Sequence, residues 1–246
     1  MLQKDKIIKY LTISFFAVGI LEVISEYLQN KLLIFSLKPL IPLLLIVIYC
    51  IESKQKNKLF VLGMLFSMLT NILFIPNATE YLQYALIAFT VHRVLVVTMV
   101  LRLQKIKDYI PFSIATLPFL LIFFYLFMET AEIPQSSYML LLTQNILISV
   151  FSGLALSGYV MNDNKQNSVL LIAVLLFVML QFIVFIEKYL LINEFTSIFR
   201  PLAMTFNVLA FFSLYKYVII AEKSNHNWFT FRNYSCIIIK IEINST

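Results

Sequence analysis

The chain of 246 residues is 61% apolar and only 13% charged, with 23 phenylalanines, a formal net charge of +6 and a mean hydropathy of +0.88. A water-soluble domain is about half apolar and about a quarter charged, so these figures exclude one: too few charges remain to coat the surface that a soluble core leaves exposed. At about 20 apolar residues per membrane crossing, the length holds at most about eight to ten spans and leaves no room for a separate soluble domain.

The first element, 7–26, follows Lys4, Lys6 and Lys9. It opens like a secretory signal, but no small-x-small cleavage site follows and the run ends at Glu22 and Glu26, so it reads as a first membrane span. Further spans are predicted over 32–51, 59–76, 81–102, 109–128, 135–160, 168–188 and 195–221. The separators are short and carry breakers and charges, such as Gln29-Asn30-Lys31, Pro76-Asn77 and Gln104 to Asp108. Only helices satisfy their own backbone groups over such lengths without a closed barrel. The predicted fold class is therefore all-α: a polytopic bundle of eight transmembrane helices over residues 1–223, with a cytoplasmic or interfacial tail over 224–246. In the tail, Trp228, Phe229 and Phe231 suggest an interfacial anchor, and Cys236 to Ile243 reads as a short strand or a surface-lying segment.

The positive charge sits in the loops, which points to topology and away from nucleic acid. Fourteen of the 19 Lys and Arg residues fall on the side of the N-terminus: Lys4, Lys6 and Lys9, Lys54, Lys56 and Lys58, Arg102, Lys105 and Lys107, Lys165, and Lys216, Lys223, Arg232 and Lys240. Glu26, Glu80, Glu129, Glu132 and Glu194 collect on the other side. Positive loops stay in the cytoplasm, so both chain ends are expected there, in a bacterial-type inner membrane, which requires an even number of crossings. Cys50 and Cys236 are far apart and give neither a disulfide framework nor a metal spacing. No Gly-rich phosphate loop or nucleotide motif occurs, so no cofactor and no metal are expected. Gly19, Gly63, Gly153 and Gly158 are read as close helix contacts.

Polar residues inside the spans carry the remaining signal, because each ionisable group in hydrocarbon costs about 2.5 kcal/mol or more and usually faces a bundle interior or a water-filled cavity. Glu22, Lys38, Asn71, Gln181 and Arg200 all lie about four to seven residues from the external ends of their spans, or about 6 to 10 Å at 1.5 Å per residue. Asn145, His92 and Asn207 lie deeper. Such a set predicts a polar cavity opening outward. Glu22 and Lys38 are each eight residues from a turn centred on residue 30, so an antiparallel hairpin would let them pair. Lys38-Pro39 and Arg200-Pro201 each place a cation before a helix-kinking proline, and the two cations are candidates to hold a lipid phosphate. His92 is either a buried neutral histidine or a proton-transfer group. Asn71, Gln144, Asn145, Gln181 and Asn207 serve either as interhelical hydrogen-bond glue or as ligand contacts.

Several of these residues carry a resemblance. Lys38-Pro39-Leu40, the run Gly63-Met64-Leu65-Phe66-Ser67-Met68-Leu69-Thr70-Asn71, Phe89-Thr90-Val91-His92, Tyr138, and Phe177 to Gln181 with Lys188 together resemble the YhhN family. That resemblance implies an eight-span integral membrane protein related to the lysoplasmalogenases. The family pattern has Gly-Asp where this chain has Thr70-Asn71 and Ser-Asp where it has Leu180-Gln181. Vinyl-ether hydrolysis starts with proton delivery to the alkene carbon and passes through an oxocarbenium ion, so it needs an acid and a stabilising negative charge. Asn71 and Gln181 can only donate or accept hydrogen bonds.

The reading is thus of a protein that binds a membrane lipid or lysolipid through Lys38, Asn71, Gln181, Arg200, Asn145 and Tyr138, and that is catalytically degenerate. In the alternative, an active ether-lipid hydrolase, His92 or Glu22 would supply the acid. A small-molecule transporter is a third reading, for which the two cation-proline pairs are the sole internal symmetry. No nucleic-acid partner is expected, and a homo-oligomer is compatible with the sequence.

Overall fold

Asparagines and an aspartate set the starts of four helices. In the computed structural model, which describes residues 2–76, 79–104, 106, 108–130, 135–191 and 195–243, with side chains except at 2, 79–80, 135–136 and 225–243, Asn30, Asn57, Asp108 and Asn164 each accept a hydrogen bond from a backbone N–H of the first turn they precede. In chain order the helices are α1 (Leu2–Tyr27), α2 (Lys31–Leu37), α3 (Leu40–Glu52), α4 (Lys58–Leu73), α5 (Thr79–Leu103), α6 (Tyr109–Glu129), α7 (Gln135–Met161), α8 (Lys165–Phe185) and α9 (Thr196–Ile243), with a π-helical turn, Ile186–Leu190, extending α8. No strand occurs among the described residues.

Local chemistry explains the breaks. Gln29 closes α1 in the left-handed region, at φ 52°, and the Asn30 N–H returns to the Ser25 carbonyl at 3.1 Å, so the chain reverses within three residues. Pro39 and Pro42 divide α2 from α3 because neither can donate a backbone hydrogen bond. Gly153 of α7 lies where a β-carbon would come within 2.9 Å of the Thr116 backbone, so only glycine lets α6 and α7 approach this closely.

Seven helical segments are long and apolar enough to cross a membrane: Gln3–Tyr27, Lys31–Glu52, Tyr81–Leu103, Tyr109–Glu129, Ser137–Met161, Lys165–Leu190 and Thr196–Ser224. The chain is an all-helical, multi-pass membrane protein. The remaining span, expected over 59–76, is the 16-residue α4, about 24 Å long at 1.5 Å per residue and shorter than the hydrocarbon core. It packs beside α5. At its start the Asn57 N–H donates to the Tyr49 hydroxyl at 2.6 Å, next to Glu222 of α9. Past its end, Phe74 and Pro76 line a cavity together with Gln29 and Thr196.

Helix α9 is packed against both α8 and α1, and α6 pairs with α7 at the periphery. Ile110, Ile114, Leu121 and Tyr125 of α6 are each more than half exposed, as a face turned to lipid requires. Phe15, Leu45, Phe151, Phe177, Phe211 and Leu214 fill the interior.

The end where α3 gives way to α4 is closed by a paired network. Glu222, itself buried, accepts from the Tyr49 hydroxyl at 2.5 Å and from the Ser53 hydroxyl at 2.6 Å. Glu52 accepts from the Tyr215 hydroxyl and, at 3.3 Å, from Lys223. The backbone of α9 remains helical through Ile243, which overturns the strand expected over Cys236 to Ile243: the helix begun inside the bundle has no proline or glycine after Pro201 to stop it. Lys105, Lys107, Glu132 and Glu194 lie outside the described residues, as do the side chains of Glu80, Trp228, Phe229, Phe231, Arg232, Cys236 and Lys240.

Candidate functional site

The opposite end is open. A cavity of about 610 Å³ enters the bundle there between the α1–α2 turn, the segment after α4 and the start of α9. Its mouth carries Glu26, Lys31, Lys38, Glu187, Lys188 and Arg200, four cations against two carboxylates. Lys38 Nζ is 2.6 Å from Glu26 Oε1. Glu187 Oε1 is 3.0 Å from Arg200 Nε and 3.4 Å from Lys188 Nζ. Both acids are thus held by cations, and two positive charges remain in formal excess, so the mouth favours an anion.

Deeper in, the lining changes to uncharged polar side chains: Ser67, Asn71, Gln144, Gln181 and Asn207. Gln181 lies six residues before Glu187, about 9 Å along the helix axis at 1.5 Å per residue. Apolar side chains, Leu86, Phe89, Leu180, Met204 and Phe211 among them, line the rest.

The amides are oriented by their own bonds. Asn71 Nδ2 donates to the Lys38 carbonyl at 3.3 Å. In a continuous helix the N–H of residue 42 would serve that carbonyl, but residue 42 is proline, so Asn71 replaces the missing donor and keeps its own oxygen for the cavity. Gln144 Nε2 donates to the Leu86 carbonyl at 3.2 Å and to Thr90 Oγ1 at 3.1 Å. Gln181 is turned the other way: its Oε1 accepts from Arg93 Nη2 at 3.2 Å, and a guanidinium has no acceptor, so the amide NH₂ is the group left over.

Arg93 is 1% exposed. Its guanidinium lies 4.8 Å from the Phe89 ring centre and 5.7 Å from that of Phe177, and its Nε and Nη1 have no hydrogen-bond partner among the described residues. No carboxylate pairs with it among the described residues.

The expected site residues divide. Lys38, Asn71, Gln181 and Arg200 line the cavity, as does Asn207. Glu22 is fully buried but is not on the lining, and neither of its oxygens has a hydrogen-bond partner among the described residues. The pairing of Lys38 with Glu22 is corrected: the partner is Glu26, one turn nearer the mouth, because the lysine side chain reaches outward along the bundle. His92 is buried beside the cavity without lining it. Its Nδ1 is 2.8 Å from the Gly63 carbonyl, which only accepts, so Nδ1 holds the proton and gives it to that bond. Its ring stacks on Phe89 at 6.0 Å and meets Phe211 edge-on at 5.7 Å. Asn145 Nδ2 donates to the Phe123 carbonyl at 3.4 Å, tying α7 to α6 away from the cavity. Tyr138 is half-exposed and set edge-on to Phe127, outside the lining.

Sequence reading missed Glu26, Lys31, Glu187 and Tyr189 as parts of one site. The π-helical turn brings Glu187, Lys188 and Tyr189 consecutively onto the cavity, a widening that often marks functional positions. The available signal was the Glu187-Lys188 pair at the end of the most apolar run in the chain. Among the described residues no group of three His, Cys, Asp or Glu is placed to hold a metal ion.

The family model described as the YhhN family matches residues 33–221, more than half of the chain and all the helices from α3 to α8. No curated protein and no solved structure matches the chain.

Proposed function

The chain belongs to the YhhN family, and from that premise we propose that it binds a lysolipid or similar amphiphile in the cavity without hydrolysing it. The observation that carries this reading is the make-up of the lining: cations in excess at the mouth, amides deeper in and apolar side chains around both. That mixture suits an anionic headgroup, a polar linkage and a hydrocarbon chain. A volume of about 610 Å³ falls within the range of small-molecule sites.

In this reading Lys38 and Arg200 hold the phosphate, Asn71 and Gln181 face the linkage, and α4 counts as an eighth crossing, which returns both termini to the cytoplasmic side of a bacterial-type inner membrane. The excess of Lys and Arg on the side of the N-terminus supports that orientation. Loss of hydrolysis follows from the two amides, which supply neither the acid nor the negative charge that a vinyl ether requires. The engagement of the His92 proton with Gly63 and the place of Glu22 outside the lining favour the non-catalytic reading over the hydrolase.

Extraction of lipid from the purified protein tests the proposal. The wild type is expected to retain lysolipid, and Lys38→Ala and Arg200→Ala each to lose about 90% of it, the tenfold effect of about 1.4 kcal/mol. Retained lipid that is unchanged in both variants overturns it. Release of aldehyde from a vinyl-ether lysolipid by the wild type overturns the non-catalytic part alone.

A further inference from the structure

A buried guanidinium without a carboxylate is costly in hydrocarbon, and among the described residues its one hydrogen-bond acceptor is the amide of Gln181, on the cavity wall. That contact has two consequences. It fixes the amide, because Arg93 can only donate, so Gln181 must offer its oxygen to Arg93 and its NH₂ to the cavity. It also places the Arg93 charge against the amide oxygen, Nη2 to Oε1 at 3.2 Å, which polarises the NH₂ donor on the other side, as charge-assisted chains do.

We propose that Arg93, acting through Gln181, makes the cavity selective for amphiphiles that carry an ester carbonyl at the level of residue 181, so that acyl lysophospholipids bind in preference to their ether counterparts. The proposal rests on the lysolipid reading above and specifies the linkage. An ester carbonyl is a strong acceptor for a polarised N–H. An ether oxygen is a weaker one, and in a vinyl ether its lone pair is delocalised into the double bond. The same charge disfavours a developing oxocarbenium ion, which would meet a cation behind the amide where it needs an anion. Spacing agrees with this assignment: Glu187, whose carboxylate holds Arg200, lies six residues from Gln181, roughly 9 Å along the axis, the region that a phosphate, a glycerol and an ester linkage would occupy. Arg93 is a positioning residue here, since the ligand touches Gln181.

The test measures binding of 1-acyl and 1-alkyl lysophosphatidylethanolamine, matched in chain length, to the full chain in detergent micelles. Wild type is expected to bind the acyl form about tenfold more tightly, the effect of one good hydrogen bond. Gln181→Glu keeps a partner for Arg93 but removes the donor, and brings the ratio to about one. Arg93→Met lets the amide turn over, and lowers the ratio while both lipids still bind. Lys38→Ala weakens both lipids alike and leaves the ratio in place. Equal binding of both lipids by the wild type, a preference for the ether, or an acyl preference that survives in Gln181→Glu overturns the proposal and leaves the lysolipid reading standing. Binding of neither lipid by the wild type overturns both.

Discussion

The two ends of this bundle treat buried charge in opposite ways. At the end holding Tyr49, Ser53 and Glu222, the carboxylate receives two short hydroxyl bonds and the helices close over it. At the cavity end, Arg93 keeps two nitrogens without partners among the described residues, and Gln181 turns a donor toward the cavity. A group that is fully paired adds to the fold, whereas one left unpaired in hydrocarbon stores a cost that a ligand can relieve. The first end is built for stability, the second is where binding is proposed, and substitutions at Glu222 and at Gln181 should differ in sign.

The largest effect is expected at the closed end. Glu222→Ala leaves the Tyr49 and Ser53 hydroxyls without their acceptor and should cost about 3 kcal/mol, seen as a fall in the thermal unfolding midpoint in detergent; an unchanged midpoint would remove the contrast. Next, and of opposite sign, Gln181→Glu supplies the carboxylate that Arg93 lacks and should raise stability by about 2 kcal/mol in the same assay. A destabilised Gln181→Glu protein would mean that Arg93 is already compensated. A smaller change is expected for Lys38→Ala, which leaves Glu26 short of a partner and costs about 1 kcal/mol while most of the bound lipid is lost. Least of all is Lys223→Ala. Its side chain is 69% exposed, and removing its bond to Glu52 should change stability by less than about 0.5 kcal/mol.

Hydropathy marked where the helices run, because apolar runs of about 20 residues interrupted by Asn, Pro and charge leave little freedom in placing spans. The start of α4 near Lys58 was legible for that reason, whereas the break at Lys38-Pro39 fell inside one predicted span, 32–51, where the proline was read only as a kink. What could not be read was rotation. These helices are apolar on nearly every face, so no amphipathic stripe tells which side of α5 or α7 turns inward. Gln144 and Asn145 are neighbours in sequence, and only the first reaches the cavity. Counting residues from a turn also failed for Glu22, since it ignores the length of the lysine that does the reaching. Asn71 had a signal that went unused: Pro42 leaves the Lys38 carbonyl without a donor, and a nearby amide is the natural replacement.

The account turns on the open end being where the amphiphile sits, and a lysophospholipid carrying a photo-activated group in its acyl chain tests that directly. After irradiation of the full chain in micelles and peptide mapping, crosslinks are predicted on cavity residues of α5, α8 and α9, such as Phe89, Leu180 and Met204, with their yield reduced by Arg200→Ala. Crosslinks confined to the exposed face of α6, at Ile114 and Leu121, with the cavity helices unlabelled, would contradict it.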